Sequence, residues 1–357
     1  MANIPFIEQA RRLAEHLAAS NPSRLKHHEI LAAVAAMNGA DNWDHLCKKP
    51  TDERRGFVFG RKKHYAERVH TIDELKYAVN FNTLQLGNTF DDTREVHITN
   101  AATLCHALIF ASNGYGARTL LEHLMVQQVA RGGGLLVVDP LPDPQPVATV
   151  RRAALACGRA DEFYEVAIGA EAPADSTLTM TALLDRGALL YAQYPTFKDE
   201  LPHGAAVTLL DEFWERFSTQ KKRPAVPFMV VVPLARLLLD RKWPGRFAHA
   251  RALGVSIILQ DDSIPLFQRV GAEIAENVLS NTFTKIFFRQ PSADGLDSAA
   301  RFIDTQVAYS QGRELHPAGV HRDWTATREK LVNLTLGEAL VLSGAELTPT
   351  RVCMVKT

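Results

Sequence analysis

LIFASNGYGARTLLEHLMVQQVARGGGLLVVDP, residues Leu108 to Pro140, reads as a buried strand, a glycine-containing turn, a helix, a second glycine turn and a second buried strand. A strand that runs through a glycine turn into a helix is the frame of a phosphate-binding loop, G-x-x-x-x-G-K-[ST]. In that loop backbone N–H groups cradle the phosphates, the lysine reaches the β/γ-phosphates and the Ser/Thr hydroxyl holds Mg²⁺. Laid on the pattern from Ala111, the first glycine is replaced by Ala111 and the second is kept as Gly116, with Asn113 and Gly114 between them. The lysine position holds Ala117 and the Ser/Thr position holds Arg118, followed by Thr119. The frame is present; its chemical groups are not.

With His106 in front and Asp139-Pro140 behind, this stretch resembles the nucleotide-binding core of the type IV secretion coupling proteins. These are the conjugative TraD/TraG kind, within the FtsK/HerA class of hexameric DNA pumps. The likeness continues through ALLYAQYPTF (Ala188–Phe197), ARALGVSIILQDDSIPLF (Ala250–Phe267), LSNTFTKIFFR (Leu279–Arg289) and LGEALVLSG (Leu336–Gly344). It runs in consistent order from about Glu95 to the C-terminus, which is more specific than any one motif. The resemblance implies an α/β, RecA-like P-loop NTPase fold with a mostly parallel, helix-covered sheet. Apolar runs without alternation, LLVV, FMVVV, SIIL and KIFF, agree with strands buried on both faces.

The departures from the family pattern fall on catalytic positions. A Walker B strand should end in Asp-Glu, the first carboxylate orienting Mg²⁺ and the second polarising the attacking water. The matching strand, PFMVVVPLARLL, ends in Val232-Pro233, with no carboxylate before Asp240. The family's sensor glutamine falls on Asp262, preceded by Asp261, and a carboxylate beside a γ-phosphate repels it unless a metal bridges them. Arg118 offers one way back: a one-residue slip aims its guanidinium at a phosphate and gives Thr119 the hydroxyl role. Arginine clamps phosphates but does not replace the lysine point charge. Otherwise Arg118 lies on the first helical turn, facing solvent or a neighbouring subunit. Asp139 and Asp143 follow the second core strand, at the edge where α/β proteins bind ligands. They are expected to cap the next helix, starting near Pro146.

Residues 1–50 read as a separate helical module. Phe6, Ala10, Leu13 and Leu17 share one helical face, and Trp43 and Leu46 close a small core. LKHHEILAAVAAMNGADNWDHL resembles a small helical module of plasmid-borne proteins, which implies no activity. Residues 51–94 are a basic connector in which Arg54, Arg55, Arg61, Lys62 and Lys63 surround Phe57, Phe59 and Tyr65. Such interleaving can serve nucleic-acid or partner contact, but the alternating Phe pair favours an ordinary hairpin with exposed cations. Residues 95–357 form the degenerate P-loop domain.

Composition bounds the rest. Of 357 residues, 46% are hydrophobic and 22% charged, as in ordinary globular chains with ample core. Lys+Arg and Asp+Glu balance at 40 each, so any DNA contact is expected to be local. Cys47, Cys105, Cys157 and Cys353 form no C-x-x-C pair and imply no disulfide framework or zinc site. Cys105 and Cys353 are expected as buried thiols in apolar strands. His16, His27, His28 and His45 are not placed to converge on a metal, and none is expected. No apolar run is long enough for a membrane span and no signal peptide opens the chain, which predicts a cytoplasmic protein, peripheral to an inner-membrane complex.

Together these readings predict a catalytically inactive, coupling-ATPase-like subunit, structural or regulatory, of a conjugative or type IV secretion-like apparatus. Its expected partners are protein components of that apparatus, itself, or an active ATPase. No cofactor is expected beyond weak ATP or anion binding at a helix N-terminus. Two alternatives stand beside it: a divergent DNA-translocating ATPase using Arg118, and a plasmid-encoded DNA-binding accessory protein using the basic connector.

Overall fold

Uninterrupted apolar sequence becomes the middle of one large sheet. The computed structural model describes residues 69–78, 80–91, 93–169, 188–194, 203–219, 223–310, 320–344 and 346–356. The expected helical module, Cys47, and the cluster Arg54, Arg55, Arg61, Lys62 and Lys63 lie outside the described residues. In chain order come β1 (Val69–Thr71), α1 (Ile72–Ala78), β2 (Thr83–Thr89), β3 (Glu95–Thr99), α2 (Asn100–Thr103) and β4 (Ala107–Phe110). Then follow α3 (Ala117–Ala130), β5 (Leu135–Asp139), α4 (Pro144–Ala156), β6 (Phe163–Ala167), β7 (Leu189–Gln193), α5 (His203–Ser218) and β8 (Phe228–Val232). The remainder is α6 (Trp243–Leu253), β9 (Val255–Asp261), α7 (Ile264–Phe267), α8 (Ala272–Asn281), β10 (Thr284–Phe288), α9 (Ala293–Ser310), α10 (Val320–Asn333), β11 (Glu338–Ser343), β12 (Glu346–Val352) and β13 (Met354–Lys356).

The sheet has 11 strands in the order β3-β2-β12-β11-β10-β4-β9-β8-β5-β7-β6. From β10 to β6 every neighbouring pair is parallel, and the other flank is antiparallel. Every residue of β4, β5, β8, β9 and β10 is buried, because helices cover both faces. One face packs on Phe213, Trp243, Phe247 and Phe267, the other on Leu120, Leu124 and Val150. Leu210, Phe213, Trp214 and Phe217 on α5 are core, with Leu209 half-buried beside them. This is the expected α/β arrangement, a mostly parallel, helix-covered sheet, with the loop-bearing strand β4 between β9 and β10.

Two expectations change. The α/β unit begins at Val69, not Glu95: β2 lies in the same sheet, paired with β3 and β12, and the compact unit runs Val69–Thr357. Cys353 is buried, but Cys105 is half-buried in the turn before β4 and lies in no strand.

His106 explains why a histidine precedes the loop-bearing strand. It adopts a left-handed backbone (φ 64) and is buried. Its Nδ1 accepts the Ile257 N–H (3.2 Å), so Nε2 carries the proton and donates to the Phe247 carbonyl (3.3 Å). The ring thus ties β4 to β9 and α6, and burial lowers its pKa to about 4. His123, on α3, is fully buried against His70, with ring centroids 5.6 Å apart and neither nitrogen hydrogen-bonded. Burial, then His70, lowers its pKa to about 3.

Both histidines therefore take up protons in the unfolded chain before the folded one. Their stabilising effect is complete well above the ordinary histidine pKa and is lost as pH falls through it. At about pH 5 each is expected to cost about 2 kcal/mol relative to neutral pH. His123→Phe should remove one share, flattening the fall in urea midpoint between about pH 7.5 and pH 5. The buried carboxylates described below titrate with opposite sign, so the comparison is wild type against variant. An unchanged slope would show that His123 is already protonated or solvated in the fold.

Candidate functional site

The loop of residues 111–116 joins β4 to α3 at the carboxyl end of the sheet. Ala111 N–H donates to the Asp261 carbonyl (2.9 Å), and Gly337 N–H donates to the Tyr115 carbonyl (3.2 Å), so both loop ends are anchored. Gly116 caps α3 with φ 108. A side chain there would be strained, and its Cβ would stand 3.2 Å from Gly337 Cα. That close approach accounts for the retained second glycine. Ala117 opens α3, with Arg118 and Thr119 on its first turn, while Asn113 and Gly114 lie in the loop.

Arg118 does not point at an open loop. Its Nη2 lies 3.2 Å from Asp139 Oδ2 and its Nε 3.1 Å from Asp143 Oδ2. Asp139 is buried at the end of β5. Its Oδ1 accepts the Leu141 N–H (2.9 Å) and its Oδ2 the Tyr191 hydroxyl (2.9 Å). Burial pushes its pKa up, and the Arg118 guanidinium pulls it back. The helix starts at Pro144, near Pro146 as expected, but the capping role divides: Asp143 caps α4 by accepting the Gln145 N–H (2.9 Å), and Asp139 does not cap it. One turn along α3, buried Glu122 accepts the Thr149 hydroxyl (3.1 Å), and burial raises its pKa.

A second triad fills the ends of β8 and β9. After Val232 and Pro233 the chain turns through Leu234 in a left-handed conformation (φ 46) into a short 3-10 helix, Ala235–Leu237. This turn puts the Arg236 guanidinium against Asp261 Oδ1 and 2.9 Å from Asp262 Oδ2. Asp261 is fully buried, and its Oδ2 also accepts the Arg236 backbone N–H (2.8 Å). Burial raises the Asp261 pKa and Arg236 opposes it. Gln260 bridges the Leu234 N–H (3.3 Å) to the Ala111 carbonyl (3.4 Å), and Gln290 donates to the Phe110 (3.4 Å) and Phe288 (3.2 Å) carbonyls. Arg236, Gln260 and Tyr191 escaped the sequence reading. Its missed signal was a lone arginine just past one buried strand whose neighbour ends in two aspartates.

These side chains differ from the ones that hold magnesium and a nucleotide in a phosphate-binding loop. The metal-holding hydroxyl position carries a guanidinium, and the carboxylates nearest it are engaged by that guanidinium. Val232 and Pro233 offer neither metal ligand nor general base. Each triad holds two carboxyl groups to one guanidinium, which leaves no spare cation in it for a triphosphate. Among the described residues no three His, Cys, Asp or Glu side chains are grouped to hold a metal, and no helix is long and apolar enough to cross a membrane.

No family model matches the sequence, and no curated protein matches it. Solved structures are similar to the chain. VirB4 of Thermoanaerobacter pseudethanolicus is 13% identical, with 77% of this chain and 97% of that one covered and a TM-score of 0.48. The bacterial conjugative coupling protein TrwBdeltaN70, in an unbound form, is 12% identical over 80% of this chain and 93% of that one, with a TM-score of 0.49. The cytoplasmic domain of the Thermomonospora curvata Type VII secretion ATPase EccC is 10% identical over 82% of this chain and 28% of that one, with a TM-score of 0.47.

Proposed function

We propose that this protein is a catalytically inactive relative of the coupling ATPases. It serves as a structural or regulatory subunit of a conjugative or type IV secretion-like transfer apparatus. The observation that carries this reading is the pairing of Arg118 with Asp139 and Asp143: the guanidinium next to the missing lysine position is already held. The Arg236–Asp261–Asp262 triad supports it at the positions of the Walker B and sensor groups. The ordered sequence resemblance from about Glu95 to the C-terminus supports the choice of apparatus, an inference by analogy. In this reading the RecA-like surfaces pack against further copies or an active ATPase at the cytoplasmic side of the inner membrane, and the N-terminal module docks a partner.

Complementation tests it. A native host lacking the gene should lose transfer, and wild type should restore it. Thr119→Ala, which removes the hydroxyl that a one-residue slip of the loop would give the Mg²⁺ role but leaves both triads intact, should restore it equally. Failure of a folded Thr119→Ala chain would return that hydroxyl to a chemical role, and transfer that never depended on the gene would remove the apparatus assignment.

A further inference from the structure

At the amino end of β10, on the edge of the sheet opposite the degenerate loop, a lysine stands where the strand pattern calls for an apolar residue. Lys285 shares a strand face with Phe287, whose ring meets Phe302 of α9 (centroids 6.1 Å apart), and it pairs in register with buried Leu342 of β11. The side chain is 6% exposed. Its ammonium donates to the Thr282 carbonyl and lies 5.4 Å from the centre of the Phe302 ring. Among the described residues no carboxylate pairs with it. An ammonium has three donors, and burying it without a counter-charge costs several kcal/mol. Burial lowers its pKa to about 8, so the charged form still prevails at neutral pH.

Lys285 lines a cavity of about 620 Å³, a volume typical of small-molecule sites. Leu279, Phe302 and Leu342 give it apolar walls, while Gln306 and Glu276 stand exposed at its mouth. We propose that the cavity binds a small organic monocarboxylate, with the carboxylate on the Lys285 ammonium and the apolar body against Phe302, Leu279 and Leu342. The counter-charge missing from the fold is then supplied by the ligand. The Glu276 carboxylate at the mouth disfavours polyanions, which sets this site apart from a nucleotide site. The inference is independent of the function proposed above.

The full chain, titrated near neutral pH by calorimetry and ligand-observed NMR with 3-phenylpropanoate, inorganic phosphate and 3-phenylpropanol, tests it. Phenylpropanoate should bind saturably. Phosphate, without an apolar body, and phenylpropanol, without a charge, should each bind at least about tenfold more weakly. Lys285→Met keeps the side-chain length, should unfold at or above the wild-type temperature, and should weaken phenylpropanoate at least about tenfold. Leu279→Trp, which fills the cavity and keeps the ammonium, should also abolish binding; it decides the matter if Lys285→Met does not fold. No saturable binding of phenylpropanoate, equal binding of all three probes, or wild-type affinity in either folded variant would overturn the proposal.

Discussion

Arg236→Met should destabilise the fold by about 3–5 kcal/mol, because it strands a buried carboxylate without its counter-charge. Asp261 is fully buried at the end of β9, and its hydrogen bonds from the Arg236 and Asp262 backbone N–H groups do not neutralise it. Asp262, 19% exposed, loses the same partner but can recruit water. Adding Asp261→Asn to Arg236→Met removes the stranded charge and should recover part of the loss. The pH dependence has a definite sign. Arg236 holds the folded-state pKa of Asp261 below what burial alone would set, so the gap between wild type and Arg236→Met is widest near neutral pH. It narrows as pH falls and Asp261 protonates in the variant. Urea titrations of the three chains check this. A loss below about 1 kcal/mol, the scale of an exposed ion pair, would mean that the triad is solvated and holds nothing together.

Rebuilding the loop should fail for an equally local reason. Ala117→Lys with Arg118→Thr restores the phosphate-binding side chains but withdraws the guanidinium from Asp139 and Asp143. Asp139 keeps Tyr191 and the Leu141 N–H, so the expected loss of stability is about 2 kcal/mol. Two carboxylates then face the loop without a counter-charge, and Val232 and Pro233 still supply nothing for metal or water. We expect improved nucleotide binding at most, and no turnover. Adding Asp139→Asn should tighten ATP binding by about tenfold by removing one repulsive charge. Turnover by the double variant would place catalytic carboxylates somewhere other than the ends of β8 and β9.

The sheet was legible because burial on both faces leaves a local trace. LIF, LLVV, FMVVV, SIIL and KIFF each became a wholly buried strand. The loop-to-helix transition was legible for the same kind of reason, since Gly116 marks a backbone conformation and a close approach that one position can signal. The early start of the domain was not: TLQLGNT is only half-buried and lies between polar turns, so its apolar content is diluted. The two triads were hidden more deeply. Arg236 meets Asp261 because β8 and β9 are parallel neighbours and β9 runs two residues past the end of β8, and Tyr191 reaches Asp139 because β7 lies beside β5. Neither pairing has a sequence spacing to betray it. The losses at Ala117, Val232 and Pro233 could be read one residue at a time. The carboxylates that take up Arg118 and Arg236 required the topology.

ATP turnover by the purified full-length chain with Mg²⁺, with and without DNA, tests the central claim most directly. The account predicts a rate indistinguishable from a protein-free control under both conditions. Turnover that follows the folded chain and is lost in a folded Arg118→Lys variant, which keeps the charge but not the guanidinium fork, would contradict it.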